Sequence, residues 1–183
     1  MRRSAPRTIQ NGNDVKVSDN EGVNHLRHLF TLTYPQSSAR RKSFKCERHD
    51  AAGNSDSYFR WDLTKLNTST SGTLTDVVEE IPGLSKVMAG DVIECQSVIE
   101  VDDLNFASHF NLDDVFPATS RRIEVTSELP SEIRYDLQNG APAPIVQGNR
   151  LVWQLNNVAA LPQHYPGQLL VDRTRQIRLA RPM

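Results

Sequence analysis

The sequence predicts an all-β protein, an antiparallel two-sheet β-sandwich with little helix. Three observations carry this prediction. Short segments in which apolar and polar residues alternate recur along the chain. Residues that favour turns (Gly, Pro, Asn and Asp) separate these segments at short intervals. Hardly any stretch shows the period of about 3.6 residues that marks a helix. With 183 residues, the chain is long enough for one large domain with a buried core.

The N-terminal region begins with a polar segment that has no period. It predicts a flexible N-terminal arm at residues 1–13, followed by a single β-sandwich domain at residues 14–183. The first strand is predicted at residues 14–18, where valines alternate with polar neighbours. The next alternating segment, residues 30–34, is predicted as a strand that ends at Pro35.

A β-hairpin is predicted next, from strands at residues 40–49 and 57–63 joined by a turn at Gly53 and Asn54. Residues 64–75 are rich in Ser, Thr and Asn and are interpreted as a loop. The following segment, residues 74–81, fits either a strand or one short helix.

The strongest strand signal follows the turn Ala89-Gly90-Asp91 and covers residues 92–101. Residues 104–116 fit a strand as well as a short helix. Further strands are predicted at 121–127, 133–137, 143–146 (an edge strand), 151–155, 169–171 and 177–179. The predicted core consists of Phe30, Leu32, Phe44, Val92, Val98, Ile123, Val125, Tyr135, Trp153 and Leu155.

The two cysteines, Cys46 and Cys95, are interpreted as packed thiols, although a disulfide between them is open to test by their separation in space. A catalytic hypothesis uses Cys46 as nucleophile with His49 and Asp50 as base and orienting group. On a strand, however, positions i and i+3 face opposite sides, so Cys46 and His49 are predicted to point apart. A cysteine-dependent enzyme is therefore an alternative and not the leading hypothesis.

Metal ligands are sparse in the sequence. Asp102, Asp103, Asp113 and Asp114 offer oxygen atoms of the kind that calcium takes, but their spacing does not match the twelve-residue helix-loop-helix site. A solvated acidic loop is the favoured interpretation, with these four as weak calcium candidates. His25 and His28 are too few to form a metal site on their own. No cofactor is predicted.

Charge is segregated along the chain although the formal net charge is −1. Residues 1–49 hold ten Lys or Arg against four acids, whereas residues 76–114 hold ten acids against one base. This pattern predicts that basic and acidic strands or loops lie near each other in one domain. The alternative is that the acidic stretch binds a cationic partner surface.

Membrane and nucleic-acid functions receive little support. No apolar run reaches the roughly 18 residues of a membrane span. The opening residues lack the apolar region of a signal peptide, which predicts either a cytoplasmic protein or an exported one whose signal is missing. The chain is not basic overall, which argues against nucleic acid. One rival is a small viral coat protein with Arg2, Arg3 and Arg7 on its arm.

Four segments carry a family resemblance: EIPGLSKVMAGDVIE, ATSRRIEVTSELPSEIRYDL, GNRLVWQLNNVAALP and DRTRQIRLA. Between Val15 and Leu179 the chain resembles the N-terminal β-sandwich domain of unknown function that precedes transglutaminase-like, papain-related domains in bacteria. The resemblance implies an all-β supersandwich and an accessory role beside a catalytic domain, and it supplies no catalytic residue. We therefore expect a non-catalytic module that binds a protein or peptide, with a transglutaminase-like domain as candidate partner.

Overall fold

The chain is described by a computed structural model, which covers residues 7–17, 26, 30–59, 63–70, 73–102, 108–113, 117–128, 133–161 and 174–180. Thirteen β-strands lie within these residues. They are β1 (Arg7–Lys16), β2 (Leu32–Pro35), β3 (Ala39–His49), β4 (Ser55–Phe59), β5 (Leu63–Thr70), β6 (Thr73–Pro82), β7 (Val92–Val101), β8 (Ser108–Asn111), β9 (Ala118–Thr126), β10 (Arg134–Gln138), β11 (Ile145–Gln147), β12 (Arg150–Val158) and β13 (Gln176–Ala180).

The strands form three antiparallel sheets. The large sheet has seven strands in the order β11-β12-β9-β1-β7-β3-β4, and two small sheets have the orders β10-β13-β8 and β2-β6-β5. Buried apolar side chains from all three sheets join in one cluster, among them Val78 of β6, Ile93 of β7 and Ile177 of β13. Each sheet therefore buries one face in a shared core, and the predicted all-β sandwich is confirmed. Among the described residues, no helix has the length and apolar character needed to span a membrane.

Strand β1 begins earlier than the sequence predicted. It starts at Arg7, so the prediction of a flexible arm is wrong for residues 7–13, which belong to the large sheet. β1 pairs with β7 on one side and with β9 on the other, which makes it a central strand. The backbone N–H and C=O groups of its polar residues form hydrogen bonds with these two neighbouring strands. The local sequence does not reveal this pairing. Residues 1–6 lie outside the described residues.

A hairpin replaces the loop predicted at residues 64–75. β5 pairs with β6, and β6 in turn pairs with β2. Residues 74–81, whose sequence fits either a strand or a short helix, form part of strand β6. Lys65 and Leu66 are exposed, so β5 does not show the alternation of a half-buried strand. β5 is a strand because it pairs with β6, and its own sequence pattern does not predict it.

Strand β7 has the predicted bounds, but the predicted core residues have the wrong phase. Ile93 and Cys95 are buried, whereas Val92 and Val98 lie on the opposite face and are only partly buried. Because side chains alternate between faces, an error of one position exchanges the whole set. Tyr135 was also predicted in the core and is 40% exposed. The other seven predicted core residues are buried: Phe30, Leu32, Phe44, Ile123, Val125, Trp153 and Leu155.

The remaining predictions follow the described strands closely. The β3–β4 hairpin turns where Asp50 accepts hydrogen bonds from the backbone N–H groups of Ala52 and Asn54. β11 and β12 form a second hairpin, with β11 as the predicted edge strand. Of the ambiguous residues 104–116, those at 108–111 form strand β8. The predicted strand at 169–171 lies outside the described residues.

The turn before β7 is held by Asp91. Its buried carboxylate accepts a hydrogen bond of 2.8 Å from the backbone N–H of Met88, and Arg48 of β3 lies 3.6 Å from it. Gly90 has a φ of 99°, a backbone conformation that residues with a Cβ atom rarely adopt. The backbones of Gly90 and Asp91 also exchange hydrogen bonds with Val17. The turn therefore fixes the start of β7 against the end of β1.

The charge segregation has a simple structural basis. Basic strand β3 pairs directly with acidic strand β7 in the large sheet. Arg40 and Lys42 of β3 both form ion pairs with Glu100 of β7. Arg41 of β3 reaches Glu80 of β6 in a neighbouring sheet. The prediction that basic and acidic segments lie near each other is confirmed.

Candidate functional site

Cys46 cannot act as a free nucleophile in this structure. It lies directly opposite Cys95 on neighbouring strands, with a Cα–Cα distance of 4.1 Å, and the two form a disulfide. The interpretation of two packed thiols is therefore wrong, because strand pairing places residues 49 positions apart side by side. Cys46 is fully buried on the inner face of the sheet. His49 lies on the other face, as the i, i+3 spacing predicted.

Asp113, one of the calcium candidates, is bound to Arg175. Its carboxylate accepts hydrogen bonds from the backbone N–H of Arg175 at 2.9 Å and from the guanidinium Nε at 3.0 Å. Burial by itself raises the pKa of Asp113, but the hydrogen bonds from Arg175 outweigh it and lower the pKa below 3.8. The carboxylate thus anchors the start of β13 to the end of β8 and serves a structural role.

The other calcium candidates do not complete a site in the described part of the chain. Asp102 is exposed at the end of β7 and belongs to no group of three metal-ligating side chains there. Asp103 and Asp114 lie outside the described residues, as do His25 and His28.

A row of carboxylates crosses the outer face of the large sheet. Glu47 of β3 lies opposite Glu94 of β7, which in turn lies opposite Asp14 of β1. We call these three residues the acidic row. A hydrogen bond and the nearby charge of Lys45 lower the pKa of Glu47, and His49 lies on the same face of β3. The sequence shows the spacing of Glu47 and His49, but only strand register brings Glu94 and Asp14 beside them.

Asp14→Asn is expected to raise the melting temperature at neutral pH. Burial, and then repulsion from Glu94, raise the pKa of Asp14 above 3.8. The protonated form is therefore favoured by folding, and this contribution is fully present below pH 3.8 and is lost as the pH rises through the folded-state pKa. Asn remains neutral at every pH. Thermal unfolding at neutral pH and at about pH 3 measures the difference.

The gain from Asp14→Asn should be present at neutral pH and absent near pH 3, because the wild-type carboxyl group is then protonated as well. The matched control is Glu128→Gln, which removes an exposed carboxylate outside the acidic row and should leave the melting temperature unchanged. An equal gain at both pH values would show that charge is not the cause.

The second candidate surface is one side of the sandwich, where the edge strand β11 exposes apolar residues. Ile145 is 58% exposed and Val146 is 65% exposed. Tyr135 of β10, itself the edge strand of its sheet, packs edge-on against Trp153 of β12 with ring centroids 5.5 Å apart. Val146 pairs with Leu151, two residues from Trp153 on the same face of β12. We call Tyr135, Ile145 and Val146 the apolar edge.

Comparison with known proteins adds a likeness of fold. No protein-family profile matches the chain, and no curated protein matches it in sequence. Among solved structures, a protein of Parabacteroides distasonis described as a "putative protease" superposes with a TM-score of 0.69 at 9% sequence identity. The match covers 97% of this chain and 37% of that chain. The chain thus spans little more than a third of the length of that protein.

The structure and the comparison together define the class of protein. The chain is an all-β protein whose antiparallel sheets pack into a sandwich around one core. It shares this fold with one part of the Parabacteroides distasonis protein.

Proposed function

We propose that this domain is a non-catalytic accessory module that binds a protein or peptide partner at its apolar edge. The observation that carries the proposal is the exposure of Ile145 and Val146 on an edge strand. Exposed edge strands offer unpaired backbone groups to an additional strand, and soluble proteins normally protect them with charge or cover. On β11, two exposed aliphatic side chains lie where a protected edge strand would carry charged residues.

The chemistry of the edge fits an extended peptide segment. Such a segment can add its backbone to β11 by hydrogen bonds, while Ile145 and Val146 project to opposite faces and contact alternate side chains of the partner. Full burial of an aliphatic side chain contributes about 1.5–3 kcal/mol. Because both residues are more than half exposed, they can supply about 3 kcal/mol together.

The partner that we propose is a transglutaminase-like, papain-related domain. The sequence resemblance implies such a neighbour. The likeness to the Parabacteroides distasonis protein supports it, since that protein has most of its length outside the matched part and is described as a "putative protease". The disulfide of Cys46 agrees with a non-catalytic role, because it removes the thiol that the enzyme hypothesis needs.

Substitution of Ile145 and Val146 by Lys is expected to weaken binding by about 100-fold, since about 3 kcal/mol corresponds to that ratio. The probe is a separately expressed transglutaminase-like, papain-related domain, and calorimetry measures its affinity. Met88→Lys is the matched control, because Met88 is an exposed apolar residue away from the apolar edge, and it should leave the affinity unchanged.

Two results would contradict the proposal. One is binding that the Lys substitutions at Ile145 and Val146 do not weaken. The other is the formation of large symmetric particles, measured by size-exclusion chromatography with light scattering, which the coat-protein alternative predicts. That alternative loses one of its arm residues in the structure, because Arg7 is buried in β1.

A further inference from the structure

We propose that Glu47, His49 and Glu94 form a binding site for a zinc ion on the outer face of the large sheet. The site is independent of the apolar edge and of the partner proposed there. Its ligand atoms come from two neighbouring strands and lie within 4.8 Å of one another.

Strand geometry explains why these three side chains meet. Glu47 and His49 are two positions apart on β3, so they project from the same face of the sheet. Glu94 of β7 is the direct register partner of Glu47 and projects from that face as well. The backbone ladder between β3 and β7 therefore holds all three ligands, and no loop has to order for the site to form.

The charges at this position are poorly balanced by the protein alone. Carboxylates that lie directly opposite each other on paired strands destabilise a sheet. Glu47 has Lys45 as a partner, whereas Glu94 forms no ion pair within the described residues. Asp14 on the far side of Glu94 adds a third negative charge. A divalent cation between Glu47 and Glu94 would offset this repulsion.

His49 is oriented for metal binding by its second nitrogen. Nδ1 lies 2.9 Å from the hydroxyl oxygen of Ser55 on β4. When Nδ1–H donates to this hydroxyl, the lone pair of Nε2 is free for a metal ion, and Nε2 lies 3.8 Å from Oε2 of Glu47. Histidines that bind metals nearly always donate their other N–H in this way. Ser55 is thus a positioning residue of the site.

The ligand set favours zinc among the common divalent cations. One imidazole and two carboxylates match the nitrogen and oxygen ligands of zinc, whereas calcium and magnesium prefer oxygen alone. Tetrahedral zinc with ligands at about 2.1 Å places donor atoms about 3.4 Å apart. Glu47 and His49 are partly exposed and Glu94 is exposed, so small side-chain rotations close the remaining gap. The fourth position is open to water.

Lys45 supplies the sharpest test, because it competes with the metal for Glu47. Its ammonium group forms an ion pair with Oε1 of Glu47. Lys45→Ala removes this competitor without removing a ligand, so zinc affinity is expected to rise several-fold. A general loss of folding would not produce tighter binding.

The experiment is calorimetric titration of the tag-free protein with zinc chloride, with calcium chloride as a second titrant. We expect one zinc ion per chain and no calcium at this site. His49→Ala and Glu94→Gln should each weaken zinc binding by at least about 100-fold, and Ser55→Ala by about 10-fold. Glu128→Gln is the carboxylate control and should leave the affinity unchanged. Circular dichroism confirms that each variant is folded.

The proposal is overturned if the wild-type protein does not bind zinc at up to about 1 mM, a concentration at which even a weak site with about −4 kcal/mol of binding energy is half filled. It is also overturned if His49→Ala retains the wild-type affinity, because other histidines would then hold the ion. Weaker binding in Lys45→Ala would count against Glu47 as a ligand.

Discussion

Loss of the Cys46–Cys95 disulfide is expected to lower the free energy of unfolding by about 4 kcal/mol, because the bond closes a loop with a sequence separation of 49 residues. Closing a loop of that length removes conformational freedom from the unfolded chain. When the bond is lost, the unfolded chain regains this freedom and becomes more favourable relative to the folded state. In a protein of this size the loss corresponds to a melting-temperature decrease on the order of 10 °C.

Equilibrium unfolding in urea, with and without dithiothreitol, measures this effect. Cys46 is fully buried, so the reductant acts once the chain unfolds, and equilibrium conditions are required. The control is the double variant Cys46→Ala/Cys95→Ala, which should unfold at the lower midpoint and should not respond to reductant. A wild-type midpoint that reductant leaves unchanged would contradict the prediction.

The disulfide also affects how the protein must be produced. Disulfides persist in oxidising compartments and are rare in the reducing cytoplasm. Expression in a reducing cytoplasm is therefore expected to yield the less stable dithiol form. The same material, once oxidised, should recover the higher midpoint in urea.

Glu80→Ala is expected to destabilise the fold by about 3–5 kcal/mol, the range for breaking one partner of a buried ion pair. Arg41 of β3 donates to both carboxylate oxygens of Glu80, one of the contacts being 3.3 Å from Nη2 to Oε1. The pair joins the large sheet to the β2-β6-β5 sheet, and both side chains are largely shielded from water. Removal of Glu80 leaves the guanidinium of Arg41 buried without this carboxylate.

Tyr34 belongs to the same cluster. Burial, and then the charge of Glu80 and its hydrogen bond, raise the pKa of Tyr34 to about 12. Its phenol therefore stays protonated and donates a hydrogen bond to Glu80 over the whole pH range in which the protein is handled. Loss of Glu80 leaves this hydroxyl without its acceptor as well, which adds to the cost of the substitution.

A double-mutant cycle separates the ion pair from simple loss of volume. Arg41→Met/Glu80→Leu replaces the pair by apolar side chains, and we expect it to be more stable than Glu80→Ala, because no buried charge remains. Urea unfolding of the wild type, Arg41→Met, Glu80→Leu and the double variant gives the coupling energy. A coupling energy near zero would show that the two residues contribute independently.

Features that neighbouring residues specify were predicted correctly, whereas features that depend on contacts between distant strands were not. The bounds of β7 and the turns at Gly53 and Gly90 follow from neighbouring residues, and these predictions are confirmed. The hairpin at residues 63–82 was missed because β5 is a strand through its pairing with β6. The phase of β7 was missed because valine and isoleucine occupy both of its faces.

The candidate sites also depend on contacts between distant strands, more strongly than the fold does. The sequence excluded a shared face for Cys46 and His49, and the structure agrees. It could not identify the disulfide, since the Cα–Cα distance of 4.1 Å depends on the register of β3 with β7. Glu94 likewise gave no signal as a companion of Glu47 and His49.

The sequence by itself determined that this protein is built from β-strands and where many of its turns lie, and it predicted that basic and acidic segments lie near each other. Alternation, turn residues and charge act between near neighbours, so they are legible in a linear chain. Only the tertiary structure decided which strands are adjacent, in what register, and therefore which side chains share a face. Register is set by the simultaneous burial of three sheets against one core, and no local pattern encodes that collective choice.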